Sequence, residues 1–113
     1  MKTCIYITTT FVGFHSWKDA PDEVAFLRHP HRHIFHVKAT FEVSHDNREL
    51  EFFMIKKEID DWIASFYPST VVLSKSCEMI AKDIFITFSK LYCSMVSVEV
   101  SEDGENGSIV ERN

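Results

Sequence analysis

Three histidines in the first third of the chain have the residue type and spacing of a metal-binding set. His31 and His33 are separated by one residue. In a β-strand alternate side chains share a face, so these two imidazoles would lie about 7 Å apart along the chain. That spacing leaves room for a third ligand from a neighbouring strand, and His15 is the natural candidate. Three neutral imidazoles with one open position describe a catalytic zinc site.

The segment that carries His31 and His33 has two distinct faces. The residues that share their parity form an apolar run: Phe35, Val37, Ala39, Phe41 and Val43. The opposite parity is mostly polar: Arg32, Ile34, His36, Lys38, Thr40 and Glu42. This alternation predicts a half-buried strand with the two histidines at one end of its core face. The alternative interpretation is that they are hydrogen-bonded histidines at the rim of the core, with no metal.

The elements that must position these histidines begin with a strand from Lys2 to His15. This segment is rich in β-branched and aromatic residues, and His15 lies on its apolar parity. Residues 16–30 lack periodicity and predict a long loop, with a helical turn around residues 23–27. Because long loops in small domains often cover sites, this loop could fold across the metal.

The rest of the chain predicts two helices followed by two strands. Polar turn residues follow Val43, and apolar spacing typical of amphipathic helices recurs twice. The predicted elements are an extended piece at 50–54, a helix from 55 to 66, a helix from 76 to 91, a strand from 96 to 102, a turn at 103–107 and a strand at 108–111. This order predicts an α+β fold.

Length and composition limit the possible functions. With 113 residues, a mass of 13.2 kDa and 45% hydrophobic residues, the chain predicts one domain spanning residues 1–113. The net charge of −5 and the lack of a basic run argue against nucleic-acid binding. No segment predicts a membrane span or a secretory signal, and Cys4, Cys77 and Cys93 lack paired spacing. We therefore expect a cytoplasmic protein with reduced thiols.

Several segments, taken together, match the motifs of one enzyme family. They are Phe11–His15, His31–Phe35, Glu51–Lys56, Ser76–Ala81 and Val98–Glu102. With the order of the elements, they resemble the family of 6-pyruvoyl tetrahydropterin synthase and 6-carboxytetrahydropterin synthase. The resemblance implies a tunnelling fold (T-fold), with a four-stranded antiparallel sheet and two helices packed on one face. It also implies a homo-oligomer, a trimer or a hexamer.

The same resemblance implies roles for individual residues. It makes His15, His31 and His33 ligands of Zn²⁺, and it gives substrate-binding roles to Cys77, Glu78 and Glu102. Glu102 would accept hydrogen bonds from the 2-amino-pyrimidinone edge of a pterin or purine-type ring. A carboxylate suits this role because its two oxygens can accept from two adjacent N–H groups.

The chain also departs from the family pattern. Leu27 stands where the resemblance places the catalytic cysteine, and residues 62–73 lack the histidine of the family's Asp-His pair. His29 is the candidate acid or base that remains, with an exposed loop residue as the alternative. One hypothesis is a zinc-dependent carbon–oxygen lyase acting on a pterin or purine-type substrate, which could carry a triphosphate. The others are a module that captures such a ligand without the reaction, and a structural zinc domain.

Overall fold

The computed structural model describes all residues from Met1 to Asn113. Its strands are β1 (Thr3–His15), β2 (His31–Val43), β3 (Val72–Leu73), β4 (Met95–Glu102) and β5 (Asn106–Glu111). Its helices are α1 (Phe52–Phe66) and α2 (Cys77–Leu91), and a short 3-10 segment spans Asp22–Arg28. The strands form one curled sheet in the order β3-β1-β2-β4-β5. Both helices pack on one face of this sheet, as the family resemblance implies.

The sheet contains one more strand than the four that were predicted. The additional strand, β3, pairs in parallel with Phe14 and His15 at the end of β1, whereas all other pairs are antiparallel. The sheet is therefore mixed rather than purely antiparallel. Because β3 has two residues, it is too short for an alternating pattern to identify it.

The start of α1 also differs from the sequence prediction. Residues 52–54 were expected to be extended, but they form the first turn of α1. The backbone N–H of Phe53 donates to the Glu51 carboxylate at 3.0 and 3.1 Å, which satisfies an otherwise free donor at the helix start. Ser76 caps α2 in the same way, since its hydroxyl oxygen accepts from the Met79 N–H at 3.2 Å.

The core follows the predicted parities. The core-facing residues of β2 from Phe35 to Phe41 are at most 1% exposed. Each helix contributes a stripe of buried residues at helical spacing: Ile55, Ile59 and Ile63 from α1, and Ile80, Ile84 and Phe88 from α2. Phe66, which the α1 stripe was expected to include, is exposed. Neither helix has the length and apolar character needed to cross a membrane.

The register of the strands brings their ends together. β1 and β2 pair along their whole length, from Thr3 opposite Val43 to His15 opposite His31. β2 pairs with β4 so that Phe35 lies opposite Glu102. Three strand ends therefore meet at one end of the sheet: the last residue of β1, the first residues of β2 and the last residue of β4.

Gly13 is needed where β1 passes the Phe35 ring. It lies opposite His33, and a Cβ atom at this position would lie 2.9 Å from Cε2 of Phe35. The Phe35 ring is fully buried, and its centroid lies 5.3 Å from that of His15 and 5.8 Å from that of His33. Gly13 thus leaves the space that Phe35 needs to pack beneath the two imidazoles.

We expect Gly13→Ala to destabilise the protein by about 1 to 3 kcal/mol, because Phe35 must move within a close-packed core. Chemical denaturation measures this change in the free energy of unfolding. Thr10→Val, on the exposed face of the same strand, is the matched control and should leave stability nearly unchanged. Wild-type stability in the Gly13→Ala variant would show that Phe35 does not require this space.

Candidate metal centre

Four side chains converge where the strand ends meet. They are His15 from β1, His31 and His33 from β2, and Glu102 from β4, and their ligand atoms all lie within 4.8 Å of one another. His15 is buried, and the other three are partly exposed. They form the chain's one group of three or more metal-ligating side chains at such distances. This set could hold a metal ion.

Each histidine is held through its Nδ1 atom. The acceptors are the Lys75 carbonyl at 2.9 Å for His15, the His29 carbonyl at 2.8 Å for His31, and the Asp103 carboxylate at 2.7 Å for His33. Because these oxygens can only accept, we infer that Nδ1 carries a proton in each ring, so that in the neutral imidazole Nε2 is the nitrogen with the lone pair. Histidines that bind metals have this arrangement, in which the second nitrogen is fixed by an acceptor.

The Nε2 atoms of His15 and His33 have no hydrogen-bond partner although they are buried. They lie 2.8 and 3.1 Å from the same carboxylate oxygen, Oε2 of Glu102, without the alignment of a hydrogen bond. Two lone pairs facing a carboxylate oxygen would repel it, so these contacts are favourable only with a positive charge between the atoms, either a metal ion or a proton on the imidazole. Tetrahedral zinc with bonds of about 2.0 Å places its ligand atoms about 3.3 Å apart, which fits this crowding.

The support for His33 comes from the turn after β4. Asp103 has a positive φ of 56°, and its carboxylate also accepts from the Ile34 N–H at 2.9 Å. The hydrogen bond with His33, followed by that from Ile34, lowers the pKa of the Asp103 carboxyl group. Asp103 therefore remains an ionised acceptor beside the imidazole.

The support for His15 extends to both helices. The Lys75 ammonium group donates to the Asp83 carboxylate at 2.6 Å, and the Tyr67 hydroxyl group donates to the same carboxylate. Burial alone would raise the pKa of Asp83, but the hydrogen bonds from Lys75 and Tyr67 hold it below its usual value. The side chain of Lys75 is thus anchored on α2 while its carbonyl group orients His15.

A cavity of about 530 Å³ adjoins three of the four converging side chains. Its walls include His15, His31 and Glu102 on one side, and Cys77 and Glu78 at the start of α2 on the other. This volume is within the usual range for a small-molecule site. A larger concavity of about 1070 Å³ follows the outer face of the sheet and the side of β1, but it contains no such group of ligating residues.

Cys77 faces this cavity as a neutral thiol. Burial, with the nearby charges of Glu102 and Glu78, raises the pKa of Cys77 to about 12. A position at a helix start favours a lower thiol pKa, but burial and the two carboxylates outweigh this effect at Cys77. A neutral thiol is not a nucleophile at neutral pH.

The structure brings most of the sequence-predicted site residues together. His15, His31, Glu102, Cys77 and Glu78 all border the same cavity, and His33 joins this group through its contact with Glu102. His29 differs, because its imidazole is exposed and does not line the cavity, whereas its carbonyl oxygen faces His31. Leu27 lines the cavity, where the motif comparison placed a cysteine.

Sequence reasoning missed two residues that support the histidines. Lys75 acts through its backbone oxygen, for which a sequence carries no signal. Asp103 could have been predicted from the sequence. It directly follows Glu102 in a predicted turn, so its carboxylate lies close to the candidate site.

Comparison with known proteins supports the fold. No protein-family model matches the sequence, and no curated protein sequence matches it. Among solved structures, the 6-pyruvoyl tetrahydropterin synthase of Caenorhabditis elegans superposes with a TM-score of 0.72. The match covers 100% of this chain and 97% of that chain, at 12% sequence identity. The chain therefore has the fold of 6-pyruvoyl tetrahydropterin synthase, as its motifs predict.

Proposed function

We propose that the chain is a zinc-dependent protein of the tetrahydropterin synthase type that acts on a pterin or purine-type ring. The observation that carries this proposal is the pair of buried, unpartnered Nε2 atoms of His15 and His33, which face the same carboxylate oxygen. Zinc suits a donor set of imidazole nitrogens with a carboxylate. The hydrogen bonds at the three Nδ1 atoms leave each Nε2 atom as the nitrogen that a neutral imidazole would offer to the metal.

In this proposal His15, His31 and His33 are the zinc ligands. When bound, zinc would supply a Lewis acid that polarises an oxygen of the ligand or of a water molecule. The acceptors at the three Nδ1 atoms keep the imidazoles in place before any ligand arrives. Such preorganisation avoids the cost of ordering the histidines at the moment of binding.

The ring is proposed to lie in the adjoining cavity. The Glu102 carboxylate would accept from two adjacent N–H groups of a 2-amino-pyrimidinone edge, and Cys77 and Glu78 line the space beside it. Lys75 is the single Lys or Arg among the lining residues, and its ammonium group is already paired with Asp83. The cavity thus favours a neutral ring with N–H donors, and a triphosphate tail would need cations from outside it.

Two forms of this function differ in whether a reaction follows binding. In the lyase form, which breaks a carbon–oxygen bond, His29 is the candidate proton carrier, and its exposed imidazole would have to turn into the cavity to reach the ring. In the second form, the protein captures the ring without turnover. The observation that favours capture is that Leu27 lines the cavity in place of the cysteine.

Self-association is a further part of the proposal. β3 pairs only with Phe14 and His15, so the outer edge of β1 from Thr3 to Gly13 has no partner strand within the chain. The outer edge of β5 is also unpaired. Long free edges carry backbone groups that can pair with another chain, which favours a homo-oligomer. The cytoplasmic location expected from the sequence stays a prediction.

We expect sedimentation equilibrium at micromolar concentration to give a species of three or six chains. Pairing of the free β1 edge with a second copy would bury its backbone donors and acceptors. A mass near 13.2 kDa across the whole concentration range would contradict this expectation.

We expect His33→Ala to lower zinc affinity at least about 100-fold, because the variant lacks one of three imidazole ligands. Metal content after dialysis, followed by competition with a chelator, measures the change. His36→Ala is the matched control, since His36 is on the same strand but on the opposite face. Equal zinc retention by the two variants would remove His33 from the ligand set.

The zinc-loaded protein should convert 7,8-dihydroneopterin triphosphate if the lyase form is correct. Mass spectrometry would detect loss of triphosphate or cleavage of the side chain. His29→Ala should then lower turnover about 100-fold or more, as expected for loss of a general acid or base, whereas His45→Ala in an exposed turn should not. Binding of the ring without any product would support the capture form.

A further inference from the structure

We propose that Glu102 is a movable fourth ligand of the metal, which keeps outside ligands away until a ring in the cavity draws its carboxylate aside. This inference rests on the proposed metal centre and deepens it. It assigns one side chain two competing partners, the metal and the ring.

The contacts of Glu102 support its role as a ligand. Its Oε2 atom lies 2.8 Å from Nε2 of His15 and 3.1 Å from Nε2 of His33, and it belongs to the group whose ligand atoms lie within 4.8 Å. Three histidines alone would leave one position of a tetrahedral metal open. The Glu102 oxygen is the fourth donor in this group, so the chain itself can fill that position.

No other group in the chain holds the Glu102 carboxylate. Its polar contacts are the two imidazoles, and no Lys, Arg or hydroxyl group pairs with it. An ionised carboxylate whose neighbours present lone pairs needs a cation or a set of N–H donors. A metal ion can supply the cation, and a ring in the cavity can supply the N–H donors.

The backbone around Glu102 is fixed, so only its side chain needs to move. The Asp103 N–H donates to the Ile34 carbonyl at 2.7 Å, and the Glu105 N–H donates to the Glu102 carbonyl at 3.0 Å. The Glu102 side chain is 29% exposed and borders the cavity of about 530 Å³. Rotation about its side-chain bonds would carry the carboxylate from the histidines into this space.

The two partners of Glu102 couple the ring to the metal. An oxygen that accepts hydrogen bonds from the ring is no longer fully available to the metal, so ring binding opens a metal position. By thermodynamic linkage, a ligand that takes this position must in turn strengthen ring binding.

Azide binding to the Co²⁺-loaded protein tests this inference, because the visible spectrum of Co²⁺ reports directly on its ligands. We expect azide to bind Glu102→Ala at least about tenfold more tightly than wild type, since the variant leaves a position open. Glu78→Ala is the matched control, because it removes a carboxylate from the same cavity without opening the metal. Glu102→Gln repeats the test if the alanine variant does not retain Co²⁺. Its amide group has the same size but is a weak ligand, so azide should again bind more tightly than in wild type.

Equal azide affinity in wild type and the Glu102 variants would overturn the inference. An equal gain in Glu78→Ala would also overturn it, because the gain would then reflect charge alone. Failure of every variant and of wild type to bind Co²⁺ would overturn the metal centre itself, together with this inference.

Added pterin provides the second measurement. In wild type it should raise azide affinity toward that of Glu102→Ala, and in the variant it should have no effect. If pterin does not bind, the proposed ring class is wrong, while the azide comparison still decides whether Glu102 occupies the metal. If pterin binds without changing azide affinity, the coupling is wrong.

Discussion

The antiparallel pairing of β1 with β2 is the constraint on which the rest of the structure depends. It places His15 opposite His31 at one end, and it buries Phe35, Val37, Ala39 and Phe41 along the same face. A shift by one residue would turn every side chain of β1 to the other face and remove His15 from the group. Because the ligands share their face with the core, burial of apolar side chains enforces the geometry of the candidate metal centre.

This arrangement also explains why the histidines can be ordered without a metal. Imidazoles at the rim of a core lose contacts with water, and each one recovers a hydrogen bond through Nδ1. The acceptors come from three separate places: the segment before α2, the residue that follows the 3-10 segment, and the turn after β4. Tertiary structure therefore fixes the ligands, and no local motif does so alone.

The sequence predicts the parts of this site that depend on alternation. The spacing of His31 and His33, and the parity of His15 with an apolar strand face, are visible without any structure. The start of α1 was predicted wrongly because Phe52, Phe53 and Met54 form an apolar run typical of a strand, yet all three are exposed on the helix. The Glu51 cap decides the conformation there. The Lys75 carbonyl could not be predicted, because backbone oxygens are the same in every residue.

The candidate metal centre and the position at which the family motif has its cysteine lie in different parts of this fold. The four converging side chains come from the ends of paired strands, whereas Leu27 lies in the 3-10 segment outside the sheet. A change at Leu27 alters the chemistry of the cavity without disturbing the strand register, so a chain can lose a nucleophile and keep its candidate metal centre. Glu102 is different, because it belongs both to the ligand group and to the wall of the cavity. Any ligand that engages this carboxylate would therefore affect a metal ion held by the group, whether or not a reaction followed.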